Sequence, residues 1–192
     1  MDKKHTLFCI MGRTSSGKDT LAKTLCNRLG AKVVISNTTR QRRTNEGETH
    51  YFATKDDYKA DKEAGNIAAF TEIDGNYYWT TIDQVLDHDV YVIDPQGIKT
   101  LENINLPNLR LVRIYVNVPD DIREHRAINS RGDDKHKFRS RNLAERRQFE
   151  NMLKNGQFEY AIQNINFPEA YSVLQWIYKV EGGRLNMGGD VQ

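Results

Sequence analysis

Cysteine is scarce in this chain: Cys9 and Cys26 are the only two among 192 residues, and no C-x-x-C or Cys/His spacing surrounds them. That excludes a disulfide scaffold and a zinc ribbon, and both thiols read as buried and free. Charge of one sign is also missing. Twenty-eight basic residues face 26 acidic ones, for a net charge of +2, so no global field for nucleic acid is built in and none is expected as a partner. No apolar run approaches the ~20 residues that span a bilayer. The start, Met1-Asp2-Lys3-Lys4-His5, leads into a strand-like run and does not read as a signal peptide. A cytoplasmic protein without a membrane partner is expected. The five histidines lack metal-ligand spacing and are expected at the surface, and no internal repeat is visible.

What is present is a globular composition, 38% hydrophobic and 28% charged, long enough for one α/β domain with inserted parts. Thr6 to Met11 is a short apolar run that predicts a buried parallel strand. Leu21, Ala22, Leu25 and Leu29 predict a helix over Lys18–Leu29 that stops at Gly30. Residues 31–36 predict a second strand, residues 37–52 a polar loop, and residues 55–64 a helix ending at Gly65. Residues 67–73 and 76–81 flank Asp74-Gly75, a hairpin signal. Residues 90–93 and 111–116 predict further buried strands, residues 120–150 charged helices, and residues 167–180 a final amphipathic helix with Tyr171 and Trp176 in the core. A flexible tail is expected over 181–192. Alternating strands and helices predict a parallel sheet covered on both faces, interrupted by an insertion at 37–86.

Between the first strand and first helix lies Gly12-Arg13-Thr14-Ser15-Ser16-Gly17-Lys18-Asp19-Thr20. This satisfies G-x-x-x-x-G-K, the loop whose backbone N–H groups cradle phosphates at a helix N-terminus while its lysine reaches the β- and γ-phosphates. Strand before and helix after are the context this motif needs. It predicts a nucleoside triphosphate held by Gly12, Thr14, Ser15, Ser16, Gly17, Lys18, Asp19 and Thr20, with Lys18 catalytic. The position after the lysine, ordinarily Ser or Thr, is Asp19. A carboxylate is also a hard oxygen ligand, so Mg²⁺ is expected with ATP, near Asp19, Thr20 and Asp94.

Basic residues cluster at Arg40, Arg42 and Arg43 and again from Arg123 to Arg147. Two arginines three apart in a loop offer forked donors to a phosphate, and a tyrosine hydroxyl completes its oxygen shell. The first cluster lies in Ser-Asn-Thr-Thr-Arg-Gln-Arg-Arg-Thr-Asn-Glu from Ser36 to Glu46, followed by Tyr51. Here the chain resembles guanylate kinase, whose pattern is S-x-T-T-R-x-x-R-x-x-E with a tyrosine strand after it. Gly65–Phe70 with Gly75–Thr80 resembles G-x-F-L-E-W…G-N-Y-Y-G-T, and residues 92–97 resemble D-I-D-x-Q-G. Arg131-Gly132 and Arg141 resemble the arginines of the closing lid. Asn164 falls where the family places an asparagine near the donor adenine. The resemblance covers roughly residues 5–180.

It implies a P-loop NTPase three-layer fold with a parallel central sheet, an inserted NMP-binding subdomain and an arginine-rich lid. As one domain over 1–180, it would have a core of 1–36 and 87–180, the insertion at 37–86 and a lid at about 126–147. It implies ATP-dependent phosphorylation of a nucleoside monophosphate, GMP or dGMP, with Arg131, Arg141 and Arg126 as lid arginines. The acceptor would meet Ser36, Arg40, Arg43, Glu46, Tyr51, Ala69, Glu72, Tyr78, Trp79, Thr80, Asp94 and Gly97. Monomer and dimer both stay open. The guanine-reading positions depart from the family: its glutamate falls on Ala69, the first aspartate of D-I-D on Val92, and a glycine on Trp79. Glu72 is a substitute if the hairpin register shifts, and Trp79 is expected to stack on a base. The Gly-Lys-Asp ending also resembles the loop of some phage deoxynucleoside monophosphate kinases. A non-guanine acceptor, or a phospholigand-binding module without catalysis, are the alternatives.

Overall fold

A computed structural model describes residues 4–42 and 49–184. Its centre is β1 (His5–Met11), every residue of which from Leu7 to Met11 is buried. Phe8 and Ile10 point to one side and Leu7, Cys9 and Met11 to the other. A strand buried on both faces reads as an unbroken apolar run, which is why the sequence shows no alternation there. β1 pairs in parallel with β6 (Val90–Val92) and β7 (Leu109–Asn117), and β7 with β8 (Tyr160–Gln163), in the order β6-β1-β7-β8.

One face is covered by α1 (Lys18–Leu29) and α7 (Phe167–Val180). The other is covered by α3 (Ile82–Asp87), α4 (Pro95–Ile104) and α6 (Lys135–Lys154). The helix expected at Lys18–Leu29 ends at Gly30, whose φ of 68° closes it in the left-handed conformation. The strand expected over 31–36 is reduced to a single bridge, Val33 to Val90, because the chain must leave the sheet by Ser36 to build the insertion. Trp176 corrects another expectation. It is 57% exposed on the outer side of α7, edge-on to Tyr160, whereas Tyr171 is buried as expected.

The insertion forms its own sheet, β3-β2-β5-β4, from β2 (Asn37–Thr38), β3 (Tyr51–Phe52), β4 (Ile67–Ile73) and β5 (Asn76–Thr81), with α2 (Lys55–Glu63) packed on it. Asp74 and Gly75, at φ 50° and 73°, make the tight turn between β4 and β5. After β7, α5 (Asp120–His125) runs into a wide helical turn at Arg126–Ser130, and then the chain turns at Gly132 into α6. Residues 181–184, expected in a flexible tail, are tied down instead. Glu181 pairs with Arg110, and Arg184 with Asp89 at 2.5 Å. The rest of that expected tail lies outside the described residues.

Candidate functional site

The phosphate loop leaves the C-terminal end of β1 and winds tightly into α1. A Cβ on Gly12 would sit 2.6 Å from Ser16 Oγ and 2.8 Å from the Val116 carbonyl, so only glycine lets the loop close on itself. Gly17 caps α1 at φ 79°, with Asn164 Nδ2 where a Cβ would go. The Ser15 and Ser16 hydroxyls are buried with no hydrogen-bond partner among the described residues, polar atoms held inside a loop built for an anion. Lys18 projects from the first turn of α1, its Nζ 3.6 Å from Asp19 Oδ2.

Asn164, expected near the donor adenine, lies beneath the phosphate loop. It is buried, and its Nδ2 donates to the Ser16 carbonyl at 2.7 Å. A carboxamide beneath the loop satisfies a buried backbone acceptor, so Asn164 braces the loop. Arg126 in turn donates to the Asn164 carbonyl at 2.8 Å.

Asp94 follows β6, next to the loop in the sheet. Its Oδ1 caps α4 through the Gln96 and Gly97 N–H groups, each at 2.8 Å, and accepts the Thr71 hydroxyl at 3.0 Å. Gly97 permits that approach, since a Cβ there would press on Ile93 and lie 3.5 Å from Thr71 Oγ1. Asp94 thus joins the central sheet to the insertion. Asp19 and Thr20 are exposed at the start of α1. Among the described residues no cluster of three or more His, Cys, Asp or Glu could hold a metal alone. The oxygen donors beside Lys18 suit a hard cation shared with phosphates, which is how Mg²⁺ is ordinarily held.

The hairpin decides which acceptor residues share a wall. Ala69 pairs with Thr80 and Thr71 with Tyr78, while Phe70 pairs with Trp79 and Glu72 with Tyr77. Alternation puts Ala69, Thr71, Tyr78 and Thr80 on one face and Phe70, Glu72, Tyr77 and Trp79 on the other. Tyr58 of α2 covers the second face, at ring distances of 5.0, 4.8 and 5.4 Å from Phe70, Tyr77 and Trp79. Trp79 is 1% exposed and donates from Nε1 to Asp61 at 2.8 Å. It is core to the insertion and cannot stack on a base. Glu72 likewise points away from Ala69. The strand's one bulge lies between Ile67 and Ala69, ahead of the stretch where a shift would have been needed.

Val92 packs on the α1 side of the central sheet, whereas Ala69 and Tyr91 belong to the opposite cluster. A carboxylate at 92 would therefore lie across the sheet from Ala69, and Asp94 is the carboxylate that meets this wall. The Thr80 hydroxyl is hydrogen-bonded to the Tyr91 hydroxyl, and burial pushes the Tyr91 phenol well above its ordinary pKa.

At the other end of this face Ser36 Oγ lies 3.1 Å from His50 Nδ1, and the His50 ring stands edge-on to Tyr78 at 5.6 Å. Arg40 and Arg42 lie over the Phe52 ring at 5.5 and 4.5 Å, and Tyr51 is exposed. Arg43 and Glu46 lie outside the described residues. His50 was not singled out in the sequence, although it directly precedes Tyr51 in the same motif.

The lid arginines divide. Arg131 pairs with Asp133, two residues away, and Arg141 pairs with Glu145 at 3.0 Å. The contacts that tie this region to the phosphate loop could not be read from the motif or from the basic cluster. Arg13 donates to Asp120 at 2.9 Å and to Asn142 Oδ1 at 2.6 Å. Arg123, 1% exposed, donates to the Thr14 carbonyl at 3.1 Å, to Asp120 at 2.7 Å and to Asn142 at 2.7 Å. Burial alone would raise the Asp120 pKa, but hydrogen bonds from Arg123 and Asn142 and the charges of Arg123 and Arg13 hold it at about 2. A run of charged residues at helical spacing shows in sequence, but which of them turn inward does not.

The sequence model of guanylate kinase matches residues 4–181. The guanylate kinase of Escherichia coli (strain K12) is 29% identical over 192 residues, covering 94% of this chain and 90% of the relative. That of Vibrio parahaemolyticus (serotype O3:K6) is 26% identical over 189 residues, covering 93% and 89%. A crystal structure of guanylate kinase from Anaplasma phagocytophilum superposes with a TM-score of 0.61 at 18% identity, over 96% of this chain and 89% of that one. That likeness speaks to the fold.

Proposed function

Because the chain belongs to the guanylate kinase family, we propose that it transfers the γ-phosphoryl group of ATP to the phosphate of a nucleoside monophosphate, GMP or dGMP. The observation that carries this reading is Asp94, which links the strand beside the phosphate loop to Thr71 on the acceptor wall, so that one edge of the sheet serves both substrates.

The loop N–H groups and the α1 N-terminus bind the donor phosphates, and Lys18 reaches the oxygens that gain charge in transfer. Asp19, Thr20 and Asp94 would hold Mg²⁺ beside the donor phosphates, where it would supply charge neutralisation. Arg40, Arg43, Tyr51 and Tyr78 take the acceptor phosphate, and Ser36, Thr71 and Asp94 meet the base. No protein base is needed, since the acceptor phosphate oxygen is already a nucleophile. Closure of the insertion and lid over both substrates keeps water out and limits hydrolysis.

Arg40→Ala is expected to raise the KM for the monophosphate by about tenfold or more while that for ATP stays within twofold, because a charge-assisted contact to one substrate is lost. Steady-state kinetics with each substrate varied in turn checks this, and equal shifts would reassign Arg40 to the fold.

A base other than guanine is the second reading, favoured by Ala69 and by a Thr80 hydroxyl engaged with Tyr91. A guanine N–H left without an acceptor costs about 1–3 kcal/mol. Discrimination of GMP against AMP, CMP, UMP and dTMP is therefore expected to be roughly ten- to a hundredfold smaller than in the Escherichia coli relative assayed alongside. Equal discrimination would remove the second reading. Turnover of no monophosphate would leave only a non-catalytic phospholigand module.

A further inference from the structure

Thr14 lies in the middle of the phosphate loop, and both of its backbone polar groups are held from the lid side. Its carbonyl takes Arg123, and its N–H donates to Glu145 Oε2 at 2.6 Å. The other carboxylate oxygen of Glu145 accepts from Arg141 Nε at 3.0 Å. One carboxylate therefore spans a loop amide and a lid guanidinium. The Glu145 side chain is 16% exposed whereas Arg141 is largely in solvent. α6 is held at this level by Asn142, whose side-chain oxygen receives both Arg13 and Arg123.

We propose that Glu145 is a positioning residue: it fixes Arg141 at the mouth of the phosphate loop so that the guanidinium meets the terminal phosphate of the bound triphosphate. An exposed arginine samples many rotamers, and each must be given up to make a directed contact. The bond to Glu145 uses Nε and leaves the two terminal nitrogens of Arg141 for phosphate oxygens, the geometry a planar fork provides. The anchoring partner of Glu145 is a loop amide, so Arg141 is referred directly to the element that holds the donor. The opposite reading of the same contact is obstruction, a carboxylate placed where a phosphate should be. The two predict opposite signs.

The inference rests on the phosphoryl-transfer reading, so the test includes a measurement that needs no acceptor. Full-length wild type, Arg141→Ala, Glu145→Ala, Glu145→Gln and the Arg141→Ala/Glu145→Ala double variant are compared by calorimetric binding of Mg·ATP and Mg·ADP. Turnover and KM are measured with the best monophosphate, and melting temperature serves as the fold control. Arg141→Ala and Glu145→Ala are each expected to shrink the ATP-over-ADP affinity ratio by about three- to tenfold. Turnover should fall by about tenfold or more, with the monophosphate KM within threefold. The double variant should be no worse than Arg141→Ala alone, and Glu145→Gln, which still accepts from Thr14, should fall between wild type and Glu145→Ala. Additive losses, a Glu145→Ala protein within twofold of wild type on the affinity ratio, or tighter ATP binding in that variant would each overturn the proposal. Failure of the wild type to phosphorylate any monophosphate would sink the phosphoryl-transfer reading instead, and the ATP/ADP ratios would still decide the role of Glu145.

Discussion

Lys18→Ala is expected to lower turnover by at least about a hundredfold while leaving the fold unchanged. Among the described residues the Lys18 ammonium pairs with the adjacent, exposed Asp19, so its removal strands no buried charge. What it removes is a cation aimed at phosphate oxygens whose charge grows in the transition state. Such a group is worth on the order of 3 kcal/mol or more, and each ~1.4 kcal/mol is tenfold in rate. The variant should melt within about 2 °C of wild type, which distinguishes a chemical defect from a structural one. Turnover within tenfold of wild type would take the loop out of the mechanism.

Arg123→Met is expected to have the largest effect on stability. The guanidinium is buried and ends on four acceptors, namely the Val118 and Thr14 carbonyls, Asp120 and Asn142. Methionine keeps much of the volume but supplies no donor, so two buried carbonyls lose their bonds and Asp120 is left with Arg13, Arg146 and the Asn142 amide. Breaking a buried charged network from one side costs about 3 kcal/mol. For a domain of this size that corresponds to roughly 6–12 °C in Tm. Arg123→Lys should recover only part of the loss, since one ammonium cannot reach acceptors laid out for a planar fork. Calorimetric melting checks both, and a loss under about 2 °C for Arg123→Met would mean that the network does not hold the loop to the lid.

The difference between these two residues shows how much of the site was legible beforehand. Lys18 was visible because the phosphate loop is local: nine consecutive residues between a buried strand and a helix carry the whole arrangement. The hairpin turn and α1 were visible for the same reason, the first from Asp74-Gly75 and the second from apolar spacing closed by Gly30. Arg123 looked like one more cation in a charged stretch, because its partners Thr14 and Asn142 are remote in sequence.

The acceptor wall divides in the same way. Sequence alone carried the strand–loop–helix phosphate site, the apolar runs of a sheet buried on both faces, and the order of motifs that marks the family, because each depends on neighbours within one element. Tertiary structure decided which face each acceptor candidate serves. It turned Trp79 and Glu72 away from the wall, set Val92 on the far side of the central sheet, and brought Asp94 to Thr71. It also moved Asn164 beneath the loop and Glu145 onto the loop amide. Those assignments depend on a bulge at Ile67, on where β6 ends, and on how α6 packs across the loop. A one-residue change of register flips a strand's side chains to the other face, so positions matched by motif alone cannot tell which of two faces they serve.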